Sequence, residues 1–420
     1  MSDHDDDAGA GGDRFRVERD GLGAIRVAED ALWGARTERA SAVLGVSDRG
    51  LFHAPSLYAA LGEVKAAAAR ANAEAGVVPA PLAEAIAEAA LALAEGAFEP
   101  ELIADLLAGG GSIALHVNVS EVIANAANER LGSVRGAYAP VEPARHVNAS
   151  QSTADVCHSA ARIAVLRETT ALGEVLERVV AGLETKAETL APVTTLARTC
   201  LRDALPASLG LVFAGHAAAF ARRTAALHDA AAPLLEIVLG GTVIGTGDGA
   251  PAAYRERVVP ILAEITGLPL EAHPRPSDAL ATSDDLSAVS AQLAGVARAA
   301  LKLARDVRLL ASGPEGGFGE LVLPHVLEGS SFFAGKSNPV VAETLLQAAL
   351  QCLGHDHVVQ SAAEQADPWL QVFDGLAAVN VLDACALLGA ALDRFETHCL
   401  RGLEADAERC SSLAARGRRP

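Results

Sequence analysis

LGEVLERVVAGLETKAETL, Leu172 to Leu190, places apolar side chains at Leu172, Val175, Leu176, Val179, Leu183, Ala187 and Leu190. The steps are mostly three or four, so these residues line one side of an α-helix. The same period reaches back to Ala154. A second run, from Pro206 to about Leu239, is alanine-rich and stops at Gly240-Gly241. A third, Asp285 to Leu310, carries Leu293, Val296, Ala300, Leu303, Val307 and Leu310 on one stripe. A fourth starts at Asn338-Pro339, and a fifth spans roughly Trp369 to Leu400. Five such helices predict an all-α bundle stabilised by burial of its apolar stripes. Alanine stripes let helix axes approach closely, and broad ones leave surface for partner subunits.

Shorter elements precede the bundle. Helices are expected near Pro55 and Pro81, with Pro100 interrupting the next. SEVIANAANERLG is expected to start with Ser120 as N-cap and to close at Gly132. GGTVIGTG, Gly240 to Gly247, follows a helical run and lacks the preceding strand and following acid of a dinucleotide fingerprint. It is read as a glycine-rich turn, with no NAD.

Composition narrows the partners. The 420 residues hold 34 basic and 53 acidic side chains, a net charge of -19, and 4 % aromatics. That balance argues against nucleic acid and offers no basic face to a membrane. An anionic substrate would need positive charge supplied locally. The amino terminus, MSDHDDDAGAGGD, is acidic and glycine-rich, so residues 1–13 are expected to be disordered and no signal peptide is read. The most apolar windows are broken by Arg, Asp, Gly or Pro, which disfavours a membrane span. Six cysteines without a CxxC pair fit reduced thiols in a cytoplasmic protein.

GSSFFAGKSNP, Gly329 to Pro339, interrupts this alanine-rich text. Asn338 is expected to cap a helix with Pro339 at its first position and Glu343 in its early turns. Free amide hydrogens at that end, with Lys336 beside them, would favour an anion. A serine hydroxyl acts as a base only when amide donors and a cation stabilise its alkoxide. Glycine hinges and Lys336 suit that requirement; an ordinary cap beside a solvated lysine suits the same residues.

The segment resembles the GSSxMPxKxNP signature of the fumarase/aspartase superfamily, with Phe333 and Ala334 in place of Met and Pro. SGPEGGFGELVLP, from Ser312, resembles that family's approach to the loop. Further stretches match in order: FRVERDGLGAIRVAEDALWGART (Phe15 to Thr37), SEVIAN (Ser120 to Asn125), QSTADV (Gln151 to Val156) and TLARTCLRDALPASLG (Thr195 to Gly210). The resemblance implies a small helical amino-terminal domain over residues 14–152 and a central bundle over residues 153–420. It also implies a homotetramer with a twenty-helix core, in which each site is shared between subunits. The family's carboxy-terminal small domain is expected to be missing, since the chain stops soon after DAERCSSLAARGRRP.

Carried across, Ser330 would be the base that removes a proton next to a carboxylate. Lys336 and Asn338 would hold that carboxylate, with Ser152, Thr153 and Ser331 adding hydroxyls. No metal or organic cofactor is implied. The other half of the family pocket departs: Leu115 and His116 stand for a hydroxyl residue and an asparagine, and Ala154 for an asparagine. Beside the retained Thr199, Cys200 replaces a histidine and Arg202 a glutamine; His158 and Ser159 replace a proline and a threonine. Missing donors make malate and aspartate poor substrates. His116, His158 and Arg202 are expected to read an altered leaving group or far carboxylate, and the loss of the fumarase-like histidine tilts the expected cleavage to C–N. The alternatives are C–O cleavage of an altered substrate, as in a fumarase-like hydratase, and an inactive homologue with a structural or regulatory role.

Overall fold

The apolar period that reaches back to Ala154 becomes one continuous helix of 37 residues in the computed structural model, which describes residues 14–417. Along the chain come a hairpin of β1 (Phe15–Asp20) and β2 (Gly23–Ala28), then α1 (Ala35–Leu44), α2 (Pro55–Glu74), α3 (Ala80–Ala94) and α4 (Ile113–Arg130). The long helix is α5 (Thr153–Thr189). A second hairpin, β3 (Thr194–Thr199) and β4 (Arg202–Ser208), leads to α6 (Gly210–Ala231), α7 (Ala252–Thr266) and the short α8 (Pro276–Ala281). The chain ends in α9 (Asp284–Leu310), α10 (Val340–Ala363), α11 (Asp374–Phe395) and α12 (Ala407–Ala414).

These elements sort into two compact units. The first holds the described chain up to Ala161, with Glu236–Ala281 and Asp367–Gly375. The second holds Arg162–Leu235, Thr282–Ala366 and the described chain from Leu376. The tail expected to be disordered lies outside the described residues.

In the first unit, α2 packs against α3, α4 and α7 through buried alanines such as Ala60, Ala66 and Ala67. Gly62 permits the closest approach: a Cβ there would lie 2.5 Å from the Ala90 carbonyl oxygen of α3. Glu121 of α4 ties down the start of α1. Its buried carboxylate accepts hydrogen bonds from the Gly34, Arg36 and Thr37 amides at 2.9, 3.1 and 3.0 Å, and from the Thr37 hydroxyl at 2.7 Å. A carboxylate suits this helix end because free amides and the helix dipole converge there.

The second unit carries the predicted bundle helices. α9 packs against α6 and α10 with Leu293, Val296, Ala300, Leu303 and Val307 buried. Polar pairs fix the registers: His216 of α6 meets Asp306 of α9 at 3.0 Å, and Ser290 of α9 donates to Asp356 of α10 at 2.8 Å. His355 of α10 meets Asn380 of α11 at 2.8 Å. The stretch Asp374–Leu400 is long and apolar enough to cross a bilayer by composition alone. Its Val381, Leu388, Leu392 and Phe395 are fully buried within the protein, as in the core helix of a bundle.

Several expectations need correction. α4 begins at Ile113, seven residues before Ser120, whose hydroxyl donates to the His116 carbonyl inside the helix at 2.7 Å. The segments around Phe15–Ala28 and Thr194–Ser208 are hairpins, so the run expected from Pro206 starts as strand and turns helical only at Gly210. The fifth helix starts at Asp374, not near Trp369. Asn338 does not cap α10: its side-chain amide donates to the Gly329 carbonyl at 2.6 Å, and Pro339 occupies the cap position.

Candidate active site

The Gly329–Pro339 segment is a loop pinched at its base. Gly329 N–H donates to the Lys336 carbonyl at 3.0 Å, and Asn338 reaches back to Gly329 as described. Only glycine fits there, since a Cβ at Gly329 would lie 2.6 Å from the Lys336 oxygen and 2.7 Å from the Asn338 nitrogen. Inside the pinch, Ser330 Oγ accepts two backbone hydrogen bonds, from Phe332 N–H at 3.1 Å and Phe333 N–H at 2.9 Å. Two amide donors aimed at one hydroxyl oxygen favour negative charge on it. Ser331, Phe332, Phe333 and Lys336 are exposed, and the Lys336 ammonium stands 6.0 Å from the Phe333 ring centroid. This loop belongs to the second unit.

The QSTADV turn belongs to the first unit and starts α5. Ser152 Oγ accepts Ala154 N–H at 3.2 Å, while Asp155 reaches back to Ser152 N–H at 2.8 Å. Ser152 thus caps the second amide of α5, and Asp155 supplies the return half of a capping box. The other Asp155 oxygen accepts Gly240 N–H at 3.1 Å and Thr242 N–H at 3.0 Å, which pins the GGTVIGTG turn. Asp155 is fully buried, and burial lifts its carboxyl to about 6 against the pull of these amides.

Behind Thr153 lies a network that motif matching missed. Lys65 of α2 is 0 % exposed, yet its Nζ lies 2.7 Å from His116 Nε2, 2.9 Å from Asn148 Oδ1 and 3.0 Å from Gln151 Oε1. His116 Nδ1 in turn lies 2.7 Å from Thr153 Oγ1. Burial lowers the Lys65 ammonium to about 7, with Cys157 and Asp155 opposing the shift. Burial first, then the charge of Lys65, keeps His116 well below its ordinary titration range. Thr153 is half-buried and lines a cavity of about 20 Å³ with Ser112, Cys157, His158, Gln371 and Asp374. One water molecule fills roughly that space.

A signal for Lys65 did exist in the sequence. The chain holds only four lysines, at positions 65, 186, 302 and 336, and uses arginine everywhere else. Lysine differs from arginine in that burial can bring it to titrate near neutrality.

The structure brings Thr153 and His116 together and places His158 on the same cavity, its Nε2 3.1 Å from the Ala279 carbonyl. Ala154 lines that cavity too, and Leu115 is buried at 3 % exposure. Thr199, Cys200 and Arg202 stand exposed at the tip of the β3–β4 hairpin. Cys200 and Leu201 both take positive φ, 51° and 57°, the backbone of a two-residue hairpin turn made without glycine. The hairpin is anchored by Arg198, which pairs with buried Glu320 at 2.6 Å and stacks 4.0 Å over Phe318. Thr195 donates to the same carboxylate. Among the described residues, no cluster of His, Cys, Asp and Glu has the arrangement of a metal site.

A lyase family model matches residues 23–354. The chain belongs to the fumarase/aspartase superfamily. It is 36 % identical over 402 residues to a class II fumarate hydratase of Thermosynechococcus vestitus, covering 96 % of this chain and 86 % of that one. It is 37 % identical over 402 residues to an aspartate ammonia-lyase of Pseudomonas aeruginosa, covering 95 % and 84 %. The crystal structure of a fumarate lyase:delta crystallin from Brucella melitensis superposes with a TM-score of 0.92 at 38 % identity, over 95 % of this chain and 87 % of that one. The fold is therefore the helical lyase fold expected from the motifs. Similar identity to a hydratase and an ammonia-lyase leaves the bond that is cleaved to the site's own chemistry.

Proposed function

We propose that this superfamily lyase catalyses β-elimination from a substituted, succinate-like carboxylate, breaking a C–N bond and releasing fumarate or a related alkene. The observation that carries the reading is the pair of backbone amides on Ser330 Oγ. They lower the cost of an alkoxide, and a serine alkoxide is basic enough to take a proton from the carbon beside a carboxylate. Lys336 and Asn338 hold that carboxylate as it becomes a doubly charged aci-carboxylate. Ser152, Thr153 and Ser331 donate hydroxyl hydrogen bonds to the same charge. Each contact strengthens as charge develops, so each favours the transition state over the bound substrate. Electrons then return to expel the leaving group from the neighbouring carbon. Thr199, Cys200, Arg202 and His158 face that group, and His116 acts from behind Thr153.

The site is assembled between copies of the chain in a homotetramer. An apolar groove of about 750 Å³ between α5 and α6, lined by Leu166, Val180, Ala221, Ala225 and Leu235, supports that reading. Packing of a second copy's helices there would remove apolar surface from water. Reduced cysteines, none of them paired among the described residues, suit a cytoplasmic setting.

The test runs the reaction backwards. Fumarate is incubated with ammonium, hydroxylamine, hydrazine or nitrite, and adducts are detected by mass. An adduct with at least one nitrogen nucleophile is expected, with Ser330→Ala forming it several orders of magnitude more slowly while keeping its circular dichroism. Adduct formation at an undiminished rate in Ser330→Ala removes the serine from the mechanism. Hydration of fumarate to malate as the sole product overturns C–N cleavage.

A further inference from the structure

We infer that Lys65 and His116 form a buried cationic relay that holds Thr153 as a hydrogen-bond donor to the charge developing on the substrate. The inference rests on the lyase reading above and adds two positioning residues to it. It begins from hydrogen-bond directions. Gln151 Nε2 donates to the Val147 and Ala149 carbonyls, each at 3.0 Å, which turns Oε1 toward Lys65. Asn148 Nδ2 donates to the Gln151 carbonyl at 3.3 Å, which turns its Oδ1 the same way. Both amides therefore present acceptors.

An ammonium has three hydrogens and no lone pair, so it can satisfy these two oxygens and one further acceptor. That acceptor is His116 Nε2. The imidazole is then neutral with its hydrogen on Nδ1, and it donates to Thr153 Oγ1. With its oxygen occupied by that donor, the Thr153 hydroxyl keeps its own hydrogen for an acceptor on the cavity side. Each link makes the next a better donor, because hydrogen bonds in series polarise one another in a low-dielectric interior. A dianion forming at Thr153 would thus draw on the charge of a lysine it never touches.

The surroundings leave this charge only weakly opposed. From α5, Asp155 and Cys157 act on Lys65 through space, and burial holds the Cys157 thiol at about 12, so it is neutral. Arg36, at the start of α1, acts on His116. α3 meets α2 through Ala90 and Ala94 at Gly62, and α7 through the ion pair of Arg257 with Glu74 at the far end of α2. An arginine at position 65 would stay charged at every working pH; a lysine makes the relay switchable. Turnover is therefore expected to fall as pH rises through the Lys65 titration.

Two measurements separate this relay from the lyase reading. In protein labelled with ¹⁵N-histidine, His116 is assigned by its loss in His116→Asn. It should show a hydrogen on Nδ1 and a bare Nε2 whose shift moves as Lys65 titrates, and Lys65→Met should abolish that movement. A hydrogen on Nε2, or a shift that ignores Lys65→Met, overturns the relay whether or not the protein is a lyase. The second measurement is the pH profile of fumarate addition with the best nucleophile found. Wild type should lose rate on the alkaline side, and both Lys65→Met and His116→Asn should flatten that limb. Both should also cut the rate on the order of tenfold to a hundredfold, less than deletion of a direct donor. An unchanged alkaline limb in both variants makes the network merely structural and overturns the inference. If neither wild type nor any variant adds a nucleophile, the lyase reading fails and the NMR result decides the network on its own.

Discussion

Replacing Lys65 by methionine should change how stability depends on pH. Lys65 is fully buried, and its ammonium falls from the ordinary value of 10.5 to about 7. At about 1.36 kcal/mol for each pH unit, the folded state disfavours the proton by about 5 kcal/mol. The sign follows from proton counting. Below about pH 7 both folded and unfolded chains hold the proton, and the full penalty of burying the charge is present. Between about pH 7 and 10.5 the unfolded chain holds a proton that the folded chain lacks, so stability rises with pH. Above that range neither state is charged and the penalty is gone. Wild type should therefore gain about 5 kcal/mol relative to Lys65→Met as pH rises from about 6 to 10.5. The variant's bare acceptors at His116, Asn148 and Gln151 add a cost that does not vary with pH in this window. Asp155 titrates at about 6, at the acid edge of this window, and Cys157 at about 12, so between about pH 7 and 10.5 neither coupled neighbour changes state. The assay is guanidinium denaturation followed by circular dichroism, at one protomer concentration so that any mass-action contribution to stability is held fixed. Parallel stability curves for the two proteins between about pH 7 and 10 would mean that Lys65 is hydrated, and would refute the reasoning.

Three other perturbations test the scaffold of the site. Gly329→Ala sets a Cβ against the Lys336 oxygen and the Asn338 nitrogen, so the loop must open; turnover should fall by roughly a hundredfold with little change in the denaturation midpoint. Lys336→Ala should weaken fumarate binding by about tenfold to a hundredfold in calorimetry, and unchanged affinity would end its anchoring role. Glu121→Ala strips four hydrogen bonds from the start of α1 and should cost about 4 kcal/mol in denaturation experiments. A cost below about 1 kcal/mol would mean that water replaces the carboxylate there.

The long helices were legible because burial writes itself into the sequence at a fixed period. Of the stripe on Asp285–Leu310, Leu293, Val296, Ala300, Leu303 and Val307 are buried on α9, while Leu310 at its end is only half-buried. Element starts were less legible, because the competing signals are local and alike. Ser120 is a favoured cap residue with an acid just after it, yet α4 already begins behind Gly110 and Gly111, whose positive φ values make the turn. Asn338 likewise has a cap's chemistry, but closing the loop on Gly329 won its side chain. The β3–β4 hairpin was missed since its Cys200-Leu201 tip lacks glycine and its strands lack strict alternation, whereas β1–β2 did carry a turn glycine, Gly21, before Leu22. Lys65, despite its rarity as a lysine in this chain, was passed over for another reason. Its partners lie 51, 83 and 86 residues away, and a lysine followed by alanines reads as one more solvated helix position.

The same hydrogen-bond accounting bears on substrate choice. Where the family pattern has two donors before the SEVIAN stretch, this chain has Leu115, buried without a polar atom, and His116, whose two nitrogens serve Lys65 and Thr153. Neither position offers a direct donor to a second carboxylate. At about 1 to 3 kcal/mol per missing donor, two losses cost roughly thirtyfold at the low end and more than ten-thousandfold at the high end. Malate and aspartate should therefore be converted slowly or not at all, and a substrate whose far end is less charged should be preferred. Leu115→Ser restores a hydroxyl at the position where the family pattern has one, and replaces neither residue of the relay. It should raise kcat/KM for aspartate by roughly fivefold to a hundredfold. Rapid ammonia release from aspartate by the unaltered protein in a coupled assay would show that the second carboxylate finds its donors elsewhere.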